Sequence, residues 1–265
     1  MSGTGRTAGM SPVRVQAAHE LVLEQIRTAI LLGRYRPGDS LPPERTLAEF
    51  LNVSRTTVRG AISILADEGL VEVKRGRGGG LFVRRVSISN SRMRALLEAN
   101  RDRIREVFEF RQTVEGASAA LAAERRSATD IKEIRRLYDA MEAMKGPDGM
   151  LPTNPEDSAH FHSLDTEFHL AIARASHNPW LEQSVVLGRI EMFRPVGALF
   201  NSLDVTGDYL HDRILAAIET GDAKLAGRSM AEHIRTTQQV LEGWIAQAAP
   251  TKGSEAVGSH AKRSG

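Results

Sequence analysis

The chain has 265 residues, no cysteine and a formal net charge of +2. It is long enough for one large domain or two ordinary ones, and it excludes a disulfide framework, a thiolate nucleophile and a thiolate metal site. The small charge hides an asymmetry: residues 1–94 carry 15 Lys/Arg against 8 Asp/Glu, a balance of +7, whereas residues 95–265 carry 20 against 25, a balance of −5. A basic front and an acidic rear predict that only the front meets a polyanion. No stretch approaches the length of a membrane span, and the opening "MSGTGRTAGM" lacks an apolar run. A soluble, cytoplasmic protein with no membrane partner is expected.

In chain order, residues 1–12 and 249–265 are Gly/Ser/Ala/Lys-rich ends without periodicity, read as disordered. Residues 15–32 read as a helix with Val22, Ile26 and Ile30 on one face, ending near Gly33. "YRPGDSLPPERTLAEFL" supplies a Pro-Gly turn and a second helix starting near Pro42-Pro43. "LNVSRTTVRGAISILADEGLVEV" follows, residues 51–73, as a helix capped by Ser54, with Val58, Ile62 and Leu65 inward and Gly69 past its end. Val71–Lys74 and Leu81–Arg84 then form a predicted hairpin around "RGRGGG". Those glycines lead into a strand and lack the Gly-Lys-Ser/Thr ending of a nucleotide P-loop, so they form a wing turn. Residues 13–86 are therefore expected to fold as a winged helix-turn-helix of three helices plus a two-stranded wing.

The outer side of the third helix carries Arg55, Thr56, Thr57 and Arg59, and no acid appears along it until Asp67. Positive charge near a helix start is disfavoured by the helix dipole unless an anion lies outside. Arg55 and Arg59 stand one turn apart, within reach of phosphates or of guanine O6 and N7, while Ser54, Thr56 and Thr57 can donate to backbone oxygens. One exposed arginine alone is better read as a solvated side chain. The short turn, the acid-free face and the basic hairpin together favour double-stranded DNA as the partner.

After a linker at 87–100, helical periodicity runs through roughly 101–126, 129–145, 157–175, 179–200, 206–220 and 222–247. An all-α antiparallel bundle over 101–248 is expected, so the fold class is mainly α in two domains. "HSLDTEFHLAIARASHNPW" places Asp165 and His169 at i and i+4 on one face. His211 lies on the next helix, and His233 shares the inward stripe of the last helix with Ala226, Met230, Thr237, Val240 and Trp244. A single histidine on an apolar face is usually a satisfied core residue. Three histidines and a carboxylate from three helices suit a divalent metal, although periodicity alone leaves their convergence open. Arg111 shares a stripe with Val107, Val114, Ser118 and Leu121, and Arg194 aligns with Leu187 and Ile190 just before Pro195. An inward arginine needs a partner, either Glu191 or another internal acid, or the carboxylate of a bound ligand.

"GRYRPGDSLPPERTLAEFLNVSRTTVRGAISILADEGLVEVKRGRGGGLFV" resembles the DNA-binding domain of GntR-family transcription regulators. The likeness lies in the "PGD.LP.ER.LA" approach, the "VSRTTVR" recognition start and the "L..EGLV" exit. It implies operator contacts by Arg45, Ser54, Arg55, Thr56, Thr57 and Arg59, with the wing tip, Arg75 and Gly76, in the minor groove. Gly60 departs from the family, which more often has an acidic residue or alanine there. Residues from about 101 to 245 resemble the FCD version of the FadR-type effector domain through "FEFRQTVEGASAALAAER", "LDTEFHLAIARASHNPWL", "HDRILAAIETGD" and "MAEHI". This likeness implies a divalent metal, zinc first with nickel or manganese as alternatives, held by Asp165, His169, His211 and His233. It also implies a small organic-acid effector and regulation that is most often repression. The stripes of Arg111 and Arg194 make them the expected effector-binding residues. A homodimer is expected because one recognition helix reads too little sequence unless paired half-sites extend it. His162 falls on the Asp165 face without a family counterpart, and His19, His160, His177 and His260 receive no role. The competing reading is a metal-dependent hydrolase-like enzyme fused to a DNA-binding domain, with Glu167 or Glu191 as its base.

Overall fold

The computed structural model describes residues 17–85, 89–146, 154–194 and 210–246. The expected disordered ends, 1–12 and 249–265, lie outside the described residues. So do residues 195–209, which hold the tail of one predicted helix and the start of the next.

The front unit is built from α1 (Ala18–Leu31), β1 (Ser40–Leu41), α2 (Glu44–Leu51), α3 (Arg55–Asp67), β2 (Val71–Lys74) and β3 (Gly80–Val83). Val22, Ile26 and Ile30 of α1 meet Ala48, Val58, Ala61, Ile62 and Leu65 in one buried cluster, closed by Leu41, Val71, Leu81 and Val83. Between α2 and α3 the chain turns through Asn52 in the left-handed region, a conformation asparagine tolerates. Ser54 then caps α3, its hydroxyl accepting from the Thr57 N–H at 3.0 Å. Gly69, at φ +73°, ends the helix and frees the chain to enter β2.

The wing has a third strand that the two-stranded expectation lacked. β1 pairs antiparallel with β3 in the register Ser40↔Phe82 and Leu41↔Leu81, giving the order β1-β3-β2. A strand of two residues between a Pro-Gly turn and a Pro-Pro pair is too short to show alternation, and only its partner defines it. The expected linker also differs. Within 87–100, residues Asn90–Ala99 form α4, capped by Ser89, and bury Met93 and Leu97 in the rear core.

The rear unit contains α5 (Arg101–Arg125), α6 (Ala128–Glu142), α7 (Pro155–Ala175), α8 (Pro179–Phe193), α9 (His211–Thr220) and α10 (Ala223–Ala246). α6 starts at a capping box between Ser127 and Asp130, and Asn154 and Asn178 cap α7 and α8 ahead of a proline at the first helical position. α5 lies against α10 at two glycines. A Cβ on Gly227 would stand 3.0 Å from the Gly116 carbonyl oxygen, so a larger residue there would need one of the helices to give by a few tenths of an ångström. Leu31 and Leu32, at the end of α1, belong to the rear core, so α1 enters both hydrophobic clusters. Among the described residues no helix is long and apolar enough to cross a membrane.

Candidate metal centre and nucleic-acid interface

α7 carries Asp165 and His169 one turn apart, α9 begins with His211, and α10 supplies His233 from its buried face. The structure brings these four together, with one ligand-type atom from each lying within 4.8 Å of the others. His211 Nε2 and His169 Nε2 lie 3.2 and 3.5 Å from Asp165 Oδ1, and the Nε2 atoms of His169 and His233 face each other at 3.2 Å. Zinc bonds of 2.0–2.1 Å give a tetrahedron whose edge is about 3.3 Å, close to these separations. The donor set fits a divalent cation. Two imidazole nitrogens facing at hydrogen-bond distance need a proton or a cation between them, and a cation serves all four donors at once.

Groups behind the ligands prepare them. His169 Nδ1 donates to Glu115 of α5, which leaves Nε2 as the lone-pair atom directed into the site. Glu115 accepts in turn from Arg111 Nε at 2.6 Å. Burial opposes its ionisation, but Arg111 and then His169 hold its carboxyl well below the usual range. On the other side, Arg189 of α8 donates to Asp165 Oδ2 at 2.5 Å and to Thr166 Oγ1 at 2.7 Å, leaving Oδ1 for the centre. Burial is again the largest influence and opposes ionisation, but Arg189, His169 and His211 together outweigh it and hold the carboxyl well below the usual range. Asp165 is therefore an ionised, oriented carboxylate.

The two arginines expected near an effector fare differently. Arg111 is buried at 2% exposure beside the centre, and the acid that answers it is Glu115. Arg194 instead stands at the surface, paired with Glu191 at 2.9 Å and Glu24 at 3.9 Å, and Glu191 also meets Arg103. The inward arginine of α8 is Arg189, also 2% exposed. Five residues carry the chain about 140° round a helix beyond whole turns, so Arg189 and Arg194 cannot both point inward. The stripe through Leu187, Ile190 and Arg194 misleads because Leu187 is half exposed. Val185, Arg189 and Met192, spaced i, i+4 and i+7, form the buried stripe, a pattern that the expectation for Arg194 did not use. His162 is buried on α7, with its ring edge-on to Phe161.

On the front unit, Arg45, Ser54, Arg55, Thr56 and Arg59 are exposed and Thr57 is partly covered. They lie on α2, on α3 or at its cap. The Ser54 hydroxyl is engaged as the cap and shares a 2.8 Å hydrogen bond with the Thr57 hydroxyl. Arg45 makes one long contact with Glu49 at 3.4 Å. α3 itself has an acid-free outer side, but Glu44 of α2 reaches Arg59 at 2.9 Å. At the wing tip Arg75 is exposed, with Gly76 at φ +93° and Gly78 at φ +88°. A Cβ on Gly79 would stand 2.5 Å from the Lys74 carbonyl, so this turn requires glycine. Arg77 stands exposed between the positive-φ glycines, a second basic tip residue that the sequence reading passed over.

Residues 18–81 match the family of bacterial regulatory proteins called gntR, and residues 106–236 match the FCD domain. The chain is 31% identical over 220 residues to the HTH-type transcriptional regulator LutR of Bacillus subtilis (strain 168), covering 80% of this chain and 96% of that one. The chain belongs to the GntR family. Among its GntR-family relatives, the Uxu operon transcriptional regulator of Escherichia coli (strain K12) is 34% identical, covering 87% of this chain and 89% of its own. The Glc operon transcriptional activator of Escherichia coli (strain K12) is 31% identical, covering 84% and 88%. This GntR-family chain is a DNA-binding transcription regulator with an FCD domain. Its relatives are regulators rather than enzymes, which sets aside the hydrolase reading.

Proposed function

We propose that this regulator binds operator DNA as a homodimer and changes its operator affinity when a small organic acid binds at a metal centre in the FCD domain. Arg45, Ser54, Arg55, Thr56, Thr57 and Arg59 would contact the operator, with Arg75, Gly76 and Arg77 at the wing. Repression is the proposed direction of control. The Glc operon relative is named an activator, so a reporter fused to the operator decides the sign.

The observation that carries this reading is the convergence of Asp165, His169, His211 and His233, with Glu115 and Arg189 fixing two of the four. A bound divalent ion would supply a positive centre for a carboxylate. Glu115 keeps the His169 proton on Nδ1, and Arg189 holds Asp165 by its outer oxygen. Arg111 and Arg189 are balanced by Glu115 and Asp165, so a cation held by neutral imidazoles would leave its charge uncompensated in a buried space. An anionic ligand offsets that charge. Arg189 Nε, buried and without a hydrogen-bond partner among the described residues, is a donor available to such a ligand. Arg189 therefore takes the place beside Arg111 that was expected of Arg194.

Chelator-free protein should carry about one divalent ion per chain by elemental analysis, since the four donors make one site. Asp165→Asn and His233→Ala should lose it, and Glu115→Gln should weaken retention by about 10–100-fold because it disturbs a group that orients a ligand. Carboxylates screened by thermal shift should raise the melting temperature of metal-loaded protein and not of chelated protein. Full metal content in both ligand variants would sink the proposal.

A further inference from the structure

Arg59, an exposed arginine of α3, is held along one edge by an acid of α2. Its Nε lies 3.4 and 3.3 Å from the two Glu44 oxygens, and its Nη2 lies 2.9 Å from Glu44 Oε2. Glu44 therefore occupies the side edge of the guanidinium. The end-on edge, made by Nη1 and the second Nη2 hydrogen, is left facing away from the acid. Glu44 is itself anchored as the first residue of α2, where the helix dipole favours a carboxylate. Its side chain is 30% exposed against 64% for Arg59, so the acid sits beneath the arginine rather than beside it in solvent. Arg45 has only a single 3.4 Å contact through one nitrogen.

Phosphate and guanine reward different properties of an arginine. A phosphate attracts the charge in almost any orientation, whereas guanine O6 and N7 require a fork presented end-on. A carboxylate locked to the side edge cancels the charge that phosphates attract, repels them directly, and fixes the fork. We infer that Glu44 is a positioning residue that makes Arg59 a reader of guanine and keeps it off the phosphate backbone. This rests on the proposed contacts of α3 with the operator, which put its exposed side in the major groove where guanine O6 and N7 lie.

The test uses the full-length chain and a duplex selected by the wild-type protein from a randomised library, with a non-specific duplex for comparison. Affinities for both are measured by fluorescence anisotropy at several salt concentrations for wild type, Glu44→Gln, Arg59→Ala and the double variant. Glu44→Asp, which keeps the charge but loses reach, controls for charge alone, and unchanged melting temperatures control for folding. Glu44→Gln should bind the non-specific duplex more tightly, with its salt dependence steeper by about 0.9, as for one added phosphate contact, whereas Glu44→Asp, which keeps the charge, should leave that slope near the wild-type one. The ratio of selected to non-specific affinity should fall by about 5–150-fold, the span expected of one lost bidentate base contact. In the Arg59→Ala background, changing Glu44 should leave that ratio where it is. An unchanged ratio and slope in Glu44→Gln overturns the inference. An unchanged ratio in Arg59→Ala also overturns it, because Arg59 then reads no base. The docking of α3 falls as well only if Arg55→Ala leaves the ratio unchanged too.

Discussion

Arg111 and Arg189 are guanidinium groups with almost no water around them, and each has a carboxylate to answer it: Glu115 at 2.6 Å and Asp165 at 2.5 Å. Removing one member of such a pair leaves a buried charge uncompensated, which is why both pairs act as fixed scaffolding behind the histidines. Glycines provide the contrast at the same scale. Gly60 lies inside α3, and a Cβ added there would meet only the His19 Cβ at 4.0 Å. Nothing opposes a methyl group, so helix propensity decides. Gly60→Ala should stabilise the protein by ~0.5–1 kcal/mol. Chemical denaturation would read this as a higher midpoint at constant slope, and a lower midpoint would show that α3 needs the glycine.

Between elements the same substitution changes sign. At the α5–α10 crossing, Ala in place of Gly227 would set its Cβ 3.0 Å from the Gly116 carbonyl and 3.3 Å from the Ala120 Cβ. A backbone oxygen cannot swing aside, so overpacking of ~1–3 kcal/mol outweighs the ~1 kcal/mol gained in propensity. Gly227→Ala should therefore lower stability and, under the metal proposal, weaken retention of the ion by shifting His233 on α10. Unfolding curves combined with metal retention during dialysis would check both effects, and unchanged retention would mean that α10 absorbs the strain away from His233. α4 shows the reverse lesson about elements. Met93 and Leu97 are a single i, i+4 pair in ten residues, too short a stripe to separate a helix from a linker until the rear core covers them.

Across the whole molecule, α7 touches both functions. It carries Asp165 and His169, and between them and the front unit it also carries Ser163, whose hydroxyl donates to the Gly33 carbonyl at 2.8 Å. Gly33 has φ +71°, and a Cβ on it would lie 3.1 Å from the Ser163 Cα, so the two segments are in close contact at the end of α1. Arg34 pairs with Glu167, which lies between the two ligands in sequence, at 3.6 Å. Under the sensing proposal, ligation that moves α7 is passed to the front unit at this seam. Coupling between sites is typically ~1–3 kcal/mol, and one hydrogen bond contributes ~1 kcal/mol of it at most. Ser163→Ala should thus leave DNA affinity of the chelated protein unchanged. The change in affinity of the zinc-loaded protein on adding a carboxylate selected by thermal shift should shrink by up to about fivefold, as a loss of ~1 kcal/mol implies. Operator titrations with and without that carboxylate measure it, and an undiminished response would place the route elsewhere.

What the sequence determined by itself was local and periodic. The short turn at "NVS", the Ser54 cap, the stop at Gly69, the shared face of Asp165 and His169 on α7 and the inward stripe of α10 all follow from interactions within a few residues, where spacing translates directly into direction. For the same reason Asp165 and His169 were legible as sharing one face and His233 as inward-facing, and family resemblance named them with His211 as one set. Their convergence, the support from Glu115, the choice of Arg189 over Arg194, the third strand of the wing and the grip of Glu44 on Arg59 were decided by the tertiary structure. Each depends on a partner 15 or more residues away or on which of two equally spaced stripes finds a neighbouring helix. Periodicity sets the angle between side chains on one element, but only packing sets which angle points toward the rest of the chain.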